Sequence, residues 1–124
     1  MKIGILGAGL IARKMAATVN GMDGVILGAV ASRDEAKARA FADEFSAEKY
    51  YGSYEELAAD EDIDLIYVAT PHSHHYEHAR LCLNAGRNVL CEKAFTANYA
   101  QAKELIDLAE SKSLYIGEAI WTRY

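Results

Sequence analysis

One short stretch near the start of the chain, K-I-G-I-L-G-A-G-L-I-A at residues 2–12, most constrains what the protein can fold into. Its apolar beginning predicts a buried strand, and residues 10–19 predict a helix directly after it. Gly7, Gly9 and Ala12 follow the G-x-G-x-x-G/A pattern, in which the glycines permit a tight turn and close approach of a pyrophosphate, and the third small residue lets the helix pack on the strand. Because a helix start also presents free N–H groups to phosphate, we interpret the stretch as a dinucleotide-binding turn rather than a purely structural one.

Beyond this motif, apolar strands alternate with amphipathic helices along the whole chain. We predict strands at 24–31, 50–51, 63–69, 88–91 and 114–119, and helices at 34–45, 73–85 and 96–111. A further helix is predicted directly after Ser53, which caps it, with Glu56 three residues on as in a capping box. Strands that are apolar without alternation are typical of parallel sheets buried on both faces. The alternation therefore predicts an α/β chain with a three-layer Rossmann fold, whose doubly wound, mostly parallel sheet has about six strands in the order 3-2-1-4-5-6.

Composition excludes several classes of protein. The 124 residues suit a single domain over 1–124, and the net charge of −5 argues against a nucleic-acid partner or an anionic membrane surface. We find no apolar run long enough to span a bilayer and no secretory leader at the N-terminus. Cys82 and Cys91 are isolated and lie in apolar segments, so we expect two reduced core thiols in a cytoplasmic protein.

The residues after the second predicted strand indicate which dinucleotide is preferred. Sites for NAD usually carry Asp or Glu here to hold the ribose 2′-hydroxyl. This chain has Ser32 and Arg33 instead, and Asp34 is the first acid. A hydroxyl and a guanidinium can hold a 2′-phosphate, so we expect NADP in preference to NAD. The alternative is that Ser32 caps the next helix and Arg33 is a solvated charge, and both interpretations can hold together.

A group of histidines follows the strand predicted at 63–69. His74 and His78 are four residues apart, which raises the alternative of a metal site, but no carboxylate or cysteine completes a recognisable ligand set, so we expect no metal. We interpret His72 and His75 as a polar rim around a nicotinamide pocket. We interpret His78 as a helix-surface residue.

Glu92 and Lys93 come at the end of the strand predicted at 88–91. A lysine at the mouth of a buried strand, beside a carboxylate, can be tuned for proton transfer or for polarising a carbonyl. The alternative is a simple surface ion pair between the two side chains.

Five motifs in order carry a resemblance to a known family. They are G-A-G-L-I-A at 7–12, A-S-R at 31–33, Y-E-E-L at 54–57, D-L-I-Y-V-A-T-P at 64–71 with His75, and E-K at 92–93. On these motifs the chain resembles the N-terminal NAD(P)-binding domain of the glucose–fructose oxidoreductase, inositol dehydrogenase and rhizopine-catabolism (Gfo/Idh/MocA) family. Residues 118–123, E-A-I-W-T-R, are similar to the dihydrodiol dehydrogenase branch, whose members use NADP.

The resemblance implies an NAD(P)-dependent oxidoreductase that transfers hydride to or from a sugar, polyol, diol or related carbonyl compound. It implies Lys93 as the catalytic residue, in contact with the cofactor ribose and the reacting oxygen of the substrate. The cofactor-binding residues that we expect are Gly7, Gly9, Leu10, Ile11, Ser32, Arg33, Thr70, Pro71, His72, His75, Glu92, Lys93, Trp121 and Arg123.

The chain departs from the family pattern in two ways. Ala94 stands where the family motif E-K-P has proline, so the lysine lacks the fixed backbone that proline provides. The family also has a C-terminal substrate and oligomerisation domain, and a chain ending at Tyr124 directly after its last strand is typical of a cut at a domain boundary. We expect a homo-oligomeric parent enzyme, and an isolated chain that is a monomer or weak dimer and binds cofactor with little or no turnover. The alternative is a stand-alone, non-catalytic dinucleotide-binding or regulatory module.

Overall fold

The computed structural model describes residues 1–70, 74–92 and 99–119, and strands alternate with helices throughout these ranges. The strands are β1 (Lys2–Leu6), β2 (Ile26–Ala31), β3 (Lys49–Tyr51), β4 (Leu65–Val68), β5 (Asn88–Glu92) and β6 (Ile116–Ala119). The helices are α1 (Leu10–Asn20), α2 (Glu35–Phe45), α3 (Tyr54–Ala58), α4 (His75–Asn84) and α5 (Tyr99–Ser111). Each predicted element is present, and the predicted first residues of α4 and α5, at 73 and 96, lie outside the described residues.

The strands form one sheet in the order β3-β2-β1-β4-β5-β6, and every neighbouring pair is parallel. Strand β1 lies between β2 and β4, where Leu6 pairs with Ala31 on one side and with Val68 on the other. The strand order reverses at β1 and β4, which opens a crevice outside their carboxyl ends. The predicted Rossmann topology is confirmed.

Helices cover both faces of the sheet, and each face has its own apolar core. Helices α1 and α2 pack on the face that carries Ile5 and Val30. Helices α3, α4 and α5 pack on the face that carries Leu6 and Val68. Ala12 belongs to α1 and is completely buried in the core between this helix and the sheet, as its small size in the glycine motif predicts.

Three strands begin two residues later than predicted, each for a local reason. Before β2, Gly24 has a φ of +77° and forms a turn. Before β4, Ile63 packs into the space that Gly28 leaves open, where a Cβ would lie 2.7 Å from Ile63 Cδ1. Before β6, the Leu114 N–H donates to the Ala109 carbonyl at 2.8 Å and closes the end of α5.

Cys82 and Cys91 are both free and completely buried, as predicted for core thiols. Burial raises the pKa of the Cys82 thiol to about 12, so it stays protonated at neutral pH. Of the helices in the described ranges, none has the length and apolar character needed to cross a bilayer.

Candidate dinucleotide site

Gly7 shapes the turn between β1 and α1. Its φ of +115° lies in the region that residues with side chains rarely adopt. Its N–H donates to the Ala31 carbonyl at 2.8 Å, which ties the turn to β2. A Cβ at this position would stand 3.0 Å from the Ala69 carbonyl oxygen and 3.3 Å from Thr70 Cγ2. Gly7 is therefore needed by the chain itself, because the turn lies directly against the end of β4.

Gly9, at the N-cap of α1, has a different role. Its φ of −86° and ψ of −166° are extended values that any residue adopts, and a Cβ there would meet no atom within 4 Å. Within the described part of the chain no side chain caps α1, and the first turn of α1 carries no acid. Open space, uncapped N–H groups and the positive end of a helix fit a pyrophosphate.

The neighbouring helix α2 is capped by its own chain. Asp34 is the N-cap residue, and its Oδ1 accepts hydrogen bonds from the N–H groups of Ala36 at 3.0 Å and Lys37 at 3.3 Å. The alternative that Ser32 caps this helix is therefore wrong, and α2 begins one residue later than predicted. Because the Asp34 carboxylate is turned to its own helix, the first acid after β2 already has hydrogen-bond partners within the protein.

Ser32 and Arg33 form the rest of the turn after β2. Ser32 is buried, its N–H donates to the Tyr51 carbonyl at 3.1 Å, and its Oγ accepts from the Asp34 N–H at 3.2 Å. Arg33 is exposed. The turn thus presents a fixed hydroxyl followed by a solvent-accessible guanidinium at the carboxyl edge of the sheet.

Thr70, just after β4, is held by two histidines of α4. Thr70 is 6% exposed and His75 is 1% exposed. His75 Nε2 lies 2.6 Å from the Thr70 carbonyl oxygen, and because a carbonyl only accepts, this nitrogen carries the hydrogen. His78 Nδ1 lies 2.7 Å from Thr70 Oγ1. The structure places His75 in the interior beneath Thr70, not at an open rim.

The interpretation of His78 as a helix-surface residue is wrong. Its ring is half-buried, and the edge-on contact with the Tyr54 ring has a centroid distance of 4.7 Å. Burial lowers the pKa of His78, and electrostatic repulsion from the neighbouring His74 ring lowers it further. The sequence analysis missed the burial of His78. The signal that could have found it is the spacing of three residues from His75, which places both histidines on one face of the helix.

Several predicted site residues lie outside the described residues: Pro71, His72, Lys93, Trp121 and Arg123, together with the unusual Ala94. Glu92 is described as the last residue of β5. Across 1–70, 74–92 and 99–119, no three metal-ligating side chains come together. The described residues that the fold brings to one edge are those of the glycine turn, Ser32 and Arg33, and Thr70 with its histidines.

An all-parallel sheet of this order, with a glycine turn and an uncapped helix at its switch point, defines a Rossmann-type dinucleotide-binding domain. Residues 1–119 match the model of the Gfo/Idh/MocA family, described as an oxidoreductase family with an NAD-binding Rossmann fold. The chain belongs to this family, which confirms the resemblance found in the sequence.

Similar proteins are dehydrogenases and reductases. A D-xylose 1-dehydrogenase (NADP(+)) of Hypocrea jecorina is 59% identical over 76 residues, which cover 61% of this chain and 19% of that protein. The trans-1,2-dihydrobenzene-1,2-diol dehydrogenase of Mus musculus is 41% identical over 128 residues, covering 100% of this chain and 38% of that protein. The crystal structure of a 3-ketoreductase from Actinomadura kijaniata in complex with NADP matches with a TM-score of 0.90 and 29% identity, over 95% of this chain and 38% of that one. This chain therefore spans less than two fifths of the length of these relatives.

Proposed function

We propose that this chain binds a nicotinamide dinucleotide, NADP in preference to NAD, as the cofactor-binding domain of an oxidoreductase. The observation that carries the proposal is the start of α1, where the space in front of Gly9 is open and no side chain of the described residues caps the helix. In this arrangement the backbone N–H groups of Leu10 and Ile11 hold the pyrophosphate, next to the positive end of the helix.

The preference for NADP is supported by the turn after β2. A site for NAD usually has a carboxylate at the end of the second strand that accepts from the ribose 2′-hydroxyl. Here Ser32 and Arg33 come first, and Asp34, the first acid, is the N-cap of α2 and accepts from two N–H groups of that helix through Oδ1. Ser32 and the exposed Arg33 guanidinium instead suit the 2′-phosphate of NADP. The names of the D-xylose dehydrogenase and of the ketoreductase complex, both with NADP, agree with this assignment.

The reaction that we propose for the whole protein is hydride transfer to or from a sugar, polyol, diol or related carbonyl compound. The nicotinamide, when bound, supplies or accepts the hydride. Thr70 borders its site, with His75 as support from below and Pro71 and His72 as further contacts. We assign Lys93, next to Glu92, to the cofactor ribose and to proton transfer at the reacting oxygen of the substrate.

For the protein as a whole we propose residues 1–124 as one dinucleotide-binding domain, joined in the parent enzyme to a substrate domain and placed in the cytoplasm. We assign Trp121 and Arg123 to the rim of the active site between the two domains. The parent enzyme is expected to be a homo-oligomer. The 124-residue chain is expected to bind cofactor with little or no turnover.

A fluorescence titration of the chain with NADPH and NADH tests the proposal. We expect tighter binding of NADPH. The Arg33→Ala variant should weaken NADPH binding about 10-fold and NADH binding less than about 2-fold, because it removes one charge-assisted contact to the 2′-phosphate. Arg39→Ala, which removes an exposed arginine farther along α2, is the matched control and should bind both cofactors as the native chain does. Tighter binding of NADH, or an equal loss of both cofactors in Arg33→Ala, would contradict the NADP assignment.

A further inference from the structure

Thr70 lies at the centre of the proposed cofactor site, between the glycine turn and helix α4. Its Cγ2 would be 3.3 Å from a Cβ at Gly7, so the threonine methyl group lies directly against the backbone of the turn. A shift of Thr70 towards Gly7 would therefore displace the glycine turn, and a shift away from Gly7 would leave a gap beside it. This turn leads to the uncapped start of α1.

The carbonyl and the hydroxyl of Thr70 are each hydrogen-bonded to a histidine ring. The His75 Nε2–H donates to the Thr70 carbonyl oxygen at 2.6 Å, which fixes the backbone at the exit of β4. The Thr70 hydroxyl and His78 Nδ1 are 2.7 Å apart, which fixes the side chain. Because Thr70 is 6% exposed, loss of either partner would leave a nearly buried polar group to be satisfied in another way.

The surroundings of His78 favour its neutral form. His74, the N-cap residue of α4, lies 5.6 Å away between ring centroids and opposes protonation, as does His75 on α4, whereas Glu77 on α4 favours it. From α3 the Tyr54 ring packs edge-on, and from the turn after β2 the Arg33 charge also opposes protonation. Burial is the largest influence, and the net effect is a pKa below the ordinary value for histidine. A neutral imidazole offers one acceptor nitrogen, and here Nδ1 faces the hydroxyl.

We propose that His78 is a positioning residue of the dinucleotide site: its neutral ring accepts the Thr70 hydroxyl hydrogen at Nδ1 and thereby holds Thr70 against Gly7. The inference rests on the proposed function and adds a residue that does not touch the cofactor. His78 acts through Thr70, and the hydrogen bond keeps the glycine turn in the shape that receives the pyrophosphate. Its removal therefore weakens dinucleotide binding while leaving Gly9, Ser32 and Arg33 unchanged.

A double-mutant cycle on the 124-residue chain tests this inference, with the dissociation constant for NADPH at pH 7.5 as the readout. Thr70→Val removes the hydroxyl and keeps the shape, and His78→Phe removes the acceptor and keeps a ring against Tyr54. We expect each single variant to raise the dissociation constant about 5-fold, as for one net hydrogen bond. The double variant should also raise the dissociation constant by no more than about 5-fold, because both changes remove the same hydrogen bond. The inference is wrong if the two single losses of affinity multiply in the double variant. It is also wrong if the single variants bind NADPH as the native chain does.

Two further variants separate positioning from general damage to the fold. His78→Asn offers an amide oxygen in place of Nδ1 and should restore binding to within about 2-fold of native, because the Thr70 hydroxyl regains an acceptor. His74→Asn changes the neighbouring histidine of the same helix end and should also stay within about 2-fold. If His78→Asn binds as poorly as His78→Phe while both remain folded, the acceptor role is wrong.

Nitrogen-15 NMR of the histidine rings gives a readout that does not require any cofactor. We expect His78 at neutral pH to show an unprotonated Nδ1 and a protonated Nε2, and its pKa to rise in Thr70→Val, because a hydrogen bond to the neutral form lowers the pKa. A hydrogen on Nδ1 in the native chain overturns the inference. If the native chain binds no dinucleotide, the proposed function fails; if it binds but the cycle shows no coupling, the inference about His78 alone fails.

Discussion

Helices α1 and α2 begin side by side at the carboxyl edge of the sheet, but their first turns differ. Each helix has 11 residues and follows directly on a strand of the sheet. Helix α2 has a side-chain cap from Asp34 and an acid, Glu35, in its first turn. Helix α1 begins after Gly9 with neither. The Asp34 side chain supplies an acceptor for the free N–H groups at the start of α2, whereas the start of α1 has no such side-chain acceptor among the described residues and is open to the anionic ligand that we propose.

The two glycines before α1 also differ in whether the surrounding chain occupies the space beside them. Gly7 has a positive φ and close neighbours on β4, so the chain requires it. Gly9 has an ordinary backbone conformation and open space at its Cβ position. The fold of the described residues requires the first glycine, whereas no described atom lies close enough to the second to require a glycine there.

The largest effect is expected from Gly7→Ala, which should destabilise the chain by about 2–4 kcal/mol. The new Cβ would combine a strained positive φ with a contact at 3.0 Å from the Ala69 carbonyl oxygen. Urea denaturation followed by circular dichroism measures the loss. A change below about 0.5 kcal/mol would remove the distinction between the two glycines.

Gly9→Ala should weaken cofactor binding and leave stability nearly unchanged, in contrast to Gly7→Ala. Its free energy of unfolding should change by less than about 1 kcal/mol, because the backbone is extended and the methyl group meets no atom. Binding of NADPH should weaken about 10-fold or more, because the methyl group would fill the space that the pyrophosphate needs. Titration and denaturation of the same preparation separate the two quantities. Native-like affinity in a folded Gly9→Ala chain would count against α1 as the phosphate site.

The smallest effect is expected from Asp34→Ala, which removes the cap of α2. Stability should fall by about 1 kcal/mol, as for other lost N-cap side chains, and NADPH affinity should change less than about 2-fold, because Asp34 faces its own helix. Ser53→Ala removes the corresponding cap of α3, where Ser53 Oγ accepts from the Glu56 N–H at 3.3 Å, and serves as the matched control. A large and selective loss of cofactor binding in Asp34→Ala alone would mean that this carboxylate belongs to the site.

Local pattern was sufficient to predict the elements and the order of the strands. The glycine motif, the apolar strands and the Ser53 cap each involve residues close in sequence, and all three are present in the structure. The predicted start of β4 was early because Ile63 is apolar and packs in the core without belonging to the strand. Periodicity does not distinguish a core residue beside a strand from a residue of the strand.

The contacts within the candidate site were less predictable. Sequence reasoning singled out Ser32, Arg33, Thr70 and His75 but offered Ser32 as a helix cap and treated His78 as a surface residue. Asp34 as the cap depends on where the α2 backbone begins. The hydrogen bond between His78 and Thr70 depends on the position of α4 relative to the end of β4.

The sequence by itself determined the alternation of strands and helices, the parallel sheet and the place of the glycine turn, because these follow from hydrophobic period and from residues within one turn of each other. The tertiary structure alone decided that Gly7 lies against Thr70 and that Gly9 faces open space. Those facts depend on the packing of β1, β2 and β4 side by side, which brings together residues more than sixty positions apart. The turn of such a site is determined by residues close in sequence, and the rest of the site is formed by the ends of the neighbouring strands.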